Sequence, residues 1–165
     1  MTEESIARSP LDTLADRWTE AWTGAHSASF TDCCTADVQY EDPVVLEPLR
    51  GVEALAAHSE RLWHAFPDLR VERTAARIGS GPYACLPWRV LGTNRGDLAG
   101  LPASGRFVSL HGIHYVELVD GLIRRARGFF DLYDAGGQLG LLPARGGLGE
   151  TALLFLRGFG LRPRA

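Results

Sequence analysis

Asp120-Gly121 separates two long strand-like runs, Arg106 to Leu118 and Leu122 to Tyr133. An Asp-Gly pair supplies the two positive-φ residues of a tight hairpin whose twist matches its flanking strands, so these runs are expected side by side and antiparallel. Two more strand-like runs precede them, Leu69 to Ile78 and Tyr83 to Thr93. Gly79-Ser80-Gly81-Pro82 and the stretch from Asp97 to Gly105 provide the intervening turns. The second half of the chain therefore reads as a meander of long antiparallel strands.

The first half reads as helical. Pro10 suits a first helical turn, Leu11, Leu14, Ala15, Trp18 and Trp22 form one stripe, and Gly24 stops the helix. A short second helix is expected over Ser27 to Cys34. Val38, Tyr40 and Asp42 then alternate with Asp37, Gln39 and Glu41, as in a strand whose first set faces the core. Pro43 and Pro48 interrupt it, and Gly51 leads into a helix from Val52 to Phe66 that places His58 on the face of Leu55 and Leu62. Pro67 ends that helix.

Helices followed by strands imply an α+β architecture, here a cone-shaped curved antiparallel sheet packed against N-terminal helices and enclosing a pocket. At 165 residues one domain is expected: a flexible tail over residues 1–9, the α+β body over 10–142, and a Gly-rich link with a C-terminal helix over 143–165. That last helix, Thr151 to Phe159, is apolar enough to pack on the body or on a second subunit.

Several function classes are disfavoured. A net charge of −3 argues against a nucleic-acid partner bound through its phosphates. All 17 basic residues are arginine, which removes lysine Schiff-base chemistry. Cys33 and Cys34 are adjacent, Cys85 is distant, and the start of the chain lacks the basic and apolar segments of a signal peptide; a reducing cytoplasm is expected. No apolar stretch reaches membrane-spanning length, so no membrane partner is expected. H-E-x-x-H, G-x-S-x-G and the Walker lysine are absent, and no spacing favours a metal site.

The candidate chemistry centres on Asp131, which follows Gly128-Phe129-Phe130. A carboxylate among aromatic residues is costly unless paired, protonated or used. The alternative is that strand register turns Asp131 outward, on the face of Arg125, Arg127 and Phe129, or that an arginine neutralises it. Strand parity places His114 inward with Val108, Leu110 and Val116, and His111 outward. The expected catalytic set is thus Asp131, His114 and His58. Tyr40, Asp42, Trp63, Trp88 and Phe129 are expected to contact substrate. Two carboxylates, two imidazoles and aromatic walls suit general acid–base work on a small apolar substrate. The alternatives are a water-activating pair, Asp42 and Asp131, that opens an epoxide, and a non-catalytic ligand-binding or dimerisation module.

Ala65-Phe66-Pro67-Asp68-Leu69, Trp88 with Gly92-Thr93 and Gly96, Ser104-Gly105-Arg106, Asp120-Gly121 with Ile123, and Asp131 followed by Gln138-Leu139-Gly140 occur in the order and spacing of a known group. Over roughly Leu11 to Leu142 the chain resembles the SnoaL-like polyketide cyclases of the nuclear-transport-factor-2-like superfamily. The resemblance implies a homodimer of α+β cones, each with a deep apolar pocket. It also implies an intramolecular aldol ring closure with neither metal nor organic cofactor, an aspartate placed like Asp131 acting as acid and base. The chain departs from the group at Asn94, where many relatives carry histidine, and at Pro87, where many carry arginine. The fold the resemblance implies also hosts dehydratases, isomerases, epoxide hydrolases and proteins without catalysis.

Overall fold

A computed structural model describes residues 9–24, 29–98, 100–143 and 145–156. Helix α1 spans Pro10–Thr23, capped by the Ser9 hydroxyl accepting from the Asp12 amide and closed by Gly24 at φ 64°. After a 3-10 turn at Phe30–Asp32 come β1 (Cys34–Glu41), β2 (Leu49–Arg50), α2 (Val52–Ala65), β3 (Arg70–Arg73), β4 (Ile78–Ser80) and β5 (Tyr83–Thr93). The chain continues through β6 (Phe107–Val119), β7 (Leu122–Phe130), α3 (Leu132–Leu139) and α4 (Leu148–Leu156). The strands form one sheet in the order β2-β1-β7-β6-β5-β3, with β4 also on β5. Asp120 and Gly121 have φ of 50° and 76°, the positive-φ pair a tight β6–β7 hairpin requires.

The α+β cone agrees with expectation, but the sheet is mixed. β1 lies parallel to β7, with Tyr40 opposite Ala126, because the whole chain from β2 to β6 intervenes and supplies the long connection that parallel neighbours need. The helix expected over Ser27 to Cys34 is only the short turn at Phe30–Asp32. Cys34 already belongs to β1, and residues 25–28 lie outside the described residues. The run from Leu69 to Ile78 divides into β3 and β4. Pro87 falls where neither pairs with β5, since β4 reaches Cys85 and β3 begins at Trp88, so no ladder bond on that side needs its missing N–H.

The end of β7 also differs. The strand stops at Phe130, and α3, unforeseen, starts immediately after Asp131. Earlier in β7 the pairing jumps from Glu117–Arg125 to Leu118–Ile123, which leaves Arg124 as a bulge. That extra residue lets Ile123, Ala126 and Gly128 all face inward while Arg125, Arg127 and Phe129 face outward. Gln138 pins α3 to β6 by accepting from the Ser109 amide at 2.7 Å and donating to its carbonyl at 3.0 Å. The C-terminal helix begins at Leu148 rather than Thr151, buries none of its residues, and its expected end at Phe159 lies outside the described residues. No helix among the described residues is long and apolar enough to cross a membrane.

The core lies between α1, α2 and the concave face of the sheet. Trp18, Trp22, Phe30, Val38, Tyr40, Leu55, Val116, Ile123 and Ala126 are buried there in one cluster. Trp88 lies across Gly112, its partner on β6, where a Cβ would overlap both the indole and the Phe129 carbonyl. Glycine at 112 is what lets that tryptophan lie flat inside the cone.

Candidate active site

The inward parity of β1 carries Val38 and Tyr40 into the core and delivers Asp42 just beyond the strand's last residue. Its side chain is 5% exposed. Oδ1 accepts the Val44 and Val45 amides at 2.8 and 3.0 Å, and Oδ2 accepts the Tyr40 hydroxyl at 2.9 Å. The Pro43 turn thus fixes the carboxylate before any side chain beyond its own loop is involved. His58, from the inner face of α2, brings Nε2 to 3.6 Å from Oδ2, while its Nδ1 lies 3.5 Å from the Arg61 guanidinium.

Burial, the largest influence on Asp42, raises its pKa, but the His58 imidazole, the Val44 amide and the Tyr40 hydroxyl outweigh it and hold the carboxyl below its usual value. Asp42 is therefore an ionised acceptor at neutral pH. Tyr40 is pushed well above the ordinary phenol range, by burial and then by the charge and hydrogen bond of Asp42. It stays a proton donor to that carboxylate.

His114 enters from β6, opposite Gly128 of β7. Trp18 donates to its Nδ1 at 3.1 Å, and Trp22 stacks on the ring at 5.9 Å and 12°. Burial drives the His114 pKa down to about 3 against a smaller upward pull from Asp42. Gly128 joins the two groups: a Cβ there would stand 3.1 Å from the Asp42 Cβ and the Tyr40 hydroxyl, and 3.5 Å from His114 Cδ2. Asp42 and Gly128 open onto a depression of about 260 Å³ that is also lined by Pro43, Leu46, Pro48 and Phe129. The inner cleft between Trp18, Trp22, Trp88 and His114 is nearly filled by rings.

The structure brings together Tyr40, Asp42, His58, Trp88 and His114, and leaves three expected residues elsewhere. Asp131 is not in the interior. Its Oδ1 caps α3 by accepting the Asp134 amide at 2.9 Å, its Oδ2 pairs with Arg145 at 2.7 Å, and its side chain is 44% exposed. The Asp134 amide, more than Arg145, holds its pKa below the usual value, against a smaller opposing effect of burial. Because β7 runs without a bulge from Arg125 to Phe130, Asp131 continues the outward face of Arg125 and Arg127. The Asp42–Asp131 water-activating pair loses its second member. Phe129 shares that outer face and is 46% exposed, so it can touch only a ligand in the outer depression. Trp63 packs against the end of α1, donating to the Trp22 carbonyl at 2.7 Å, and lines neither opening.

Trp18 and Trp22, members of the α1 stripe, both pack on His114. Their four-residue spacing with no polar neighbour on that face reads as core, and nothing in it marks an indole N–H aimed at a histidine. Asn94 is a loop brace: Nδ2 donates to the Ala65 and Gly96 carbonyls, and Oδ1 accepts from the Ser104 amide.

A curved sheet closed by two helices around a buried carboxylate, two imidazoles and aromatic rings is the frame of a small-molecule enzyme of the cone-shaped α+β class. The chain belongs to the SnoaL-like polyketide cyclase family, whose sequence pattern matches residues 12–139. It is 37% identical over 108 residues to aklanonic acid methyl ester cyclase DauD of Streptomyces sp. (strain C5), spanning 62% of this chain and 65% of DauD. It is 35% identical over 106 residues to aklanonic acid methyl ester cyclase DnrD of Streptomyces peucetius, spanning 62% of this chain and 73% of DnrD. Among solved structures, TsrD from Streptomyces laurentii superposes with a TM-score of 0.72 at 25% identity, covering 84% of this chain and all of TsrD.

Proposed function

We propose that this chain is a polyketide cyclase that closes a ring within one substrate molecule by general acid–base catalysis, with Asp42 as the base. The observation that carries the reading is the placement of Asp42: an ionised carboxylate, anchored by two backbone amides and Tyr40, at the wall of the depression that adjoins the aromatic interior. A carboxylate with a lowered pKa is a weak base. It suits a carbon acid whose proton is already made labile by flanking carbonyls.

The reaction is an internal aldol addition. Asp42 takes the C–H proton, the electron pair moves into the adjoining carbonyl as an enolate, and the enolate carbon bonds to a second carbonyl carbon of the same molecule. The oxygen released from that double bond takes up the proton. Substrate and product contain the same atoms at the same oxidation level, so the route needs only a base, a donor for the enolate oxygen and a shape that holds the ends together. Asp42 is ionised again once that proton has passed to the product oxygen, and His58, at 3.6 Å, supports the carboxylate form.

The names of DauD and DnrD make aklanonic acid methyl ester the first substrate to assay. Asp42→Asn keeps the shape and removes the base, and kcat is expected to fall by about 10²–10⁴-fold, the usual contribution of a positioned general base. Turnover by that variant at the parent rate contradicts the assignment.

A further inference from the structure

Trp18 on α1 and His114 on β6 come from opposite layers of the cone and meet in a buried hydrogen bond, Trp18 Nε1–H to His114 Nδ1 at 3.1 Å. An indole nitrogen can only donate, so Nδ1 is the bare acceptor nitrogen and the ring proton sits on Nε2. Trp22 stacked on one side and Trp88 tilted at 5.3 Å hold the ring plane. The Nε2–H has no hydrogen-bond partner among the described residues. The adjoining Cδ2 edge faces Gly128, and so the wall that Asp42 shares.

On the two indoles that flank this imidazole, Trp22 Nε1 and Trp88 Nε1 are buried without an acceptor. Orphaned buried donors cost about 1–3 kcal/mol each. Both indoles line a cleft that the rings themselves nearly fill, so a ligand can approach His114 only from the Gly128 side, where the depression beside Asp42 opens.

We propose that Trp18 is a positioning residue that fixes His114 in its Nε2–H form, making it the hydrogen-bond donor to the substrate oxygen on which charge develops and not a carrier of protons. This rests on the reading of the Asp42 depression, with its Gly128 wall, as the cyclase site. It divides the labour between two groups: Asp42 moves the proton, and His114 stabilises the oxygen. The charge-free donor adds no acid limb of its own to the pH–rate profile near neutrality.

The test is nitrogen NMR of protein labelled in its histidine rings, run beside steady-state kinetics. In the parent, His114 is expected as a single tautomer, protonated at Nε2, and unchanged from pH 8 to pH 5. Trp18→Phe is expected to mix the tautomers, bring an imidazole limb into the pH–rate profile, and lower kcat about tenfold or more with KM little changed, as loss of an oriented donor does. A parent His114 protonated at Nδ1, or a folded Trp18→Phe protein with the parent tautomer and kcat, overturns the proposal. Should Trp18→Phe not fold, His114→Gln retains an N–H donor and is expected to keep at least tenfold more turnover than His114→Phe; equal rates for those two variants overturn it. Asp42→Asn separates this proposal from the function it rests on. That change is expected to stop turnover while leaving His114 protonated at Nε2, and normal turnover with the same tautomer would refute the base and leave the positioning intact.

Discussion

Asp42 and Asp131 follow the last residues of β1 and β7, and each accepts a backbone amide two or three residues on. Their surroundings then diverge. Asp42 keeps the inward parity of Val38 and Tyr40, whereas Asp131 keeps the outward parity of Arg125 and Arg127 and finds Arg145. Asp131→Ala is accordingly expected to lower the melting temperature slightly, through loss of the α3 cap, and to leave kcat within twofold of the parent. A large fall in kcat would show that the exposed carboxylate takes part in the reaction. Residue by residue, parity was legible: His114 in, His111 out, His58 in. The outward placement of Asp131 was not legible: Asp131-x-x-Asp134 before Ala135, Leu139 and Gly140 is a helix start and stop, and the apolar run ahead of it masked that signal.

At the scale of elements, the Asp120-Gly121 hairpin, the α1 and α2 stripes and the long strands β5 and β6 could be read directly, because each rests on local periodicity or turn chemistry. The parallel pairing of β1 with β7 could not be read, because it depends on which edge of the sheet remains free once the meander has formed. Nor could the bulge at Arg124, which has no residue-type signature in a run of alternating arginines. The contact between β5 and β6 gives an element-level test. Gly112→Ala places a methyl group into Trp88 and the Phe129 carbonyl, and about 1–3 kcal/mol of stability is expected to be lost in urea denaturation, as for other overpacked cores. An unchanged midpoint would mean that Trp88 does not lie across that glycine.

For the whole molecule, the burial of His114 makes folding stability depend on acid pH. His114 has its folded pKa lowered to about 3 from an ordinary 6.5, so the folded state resists protonation that the unfolded chain accepts. Its contribution is therefore fully present above about pH 6.5 and is lost as pH falls towards 3, reaching on the order of 4 kcal/mol at pH 3. His114→Gln is expected to flatten the stability profile across that window, and a profile identical to the parent's would show that another group governs it. On the proposed function, the base is the buried carboxylate at the end of β1 and not the exposed one at the end of β7. The most direct test is the kcat of Asp42→Asn and of Asp131→Asn, measured side by side on aklanonic acid methyl ester with the fold of both checked by circular dichroism. The expected result is at least a hundredfold loss for Asp42→Asn and near-parent turnover for Asp131→Asn; the reverse pattern would contradict the account.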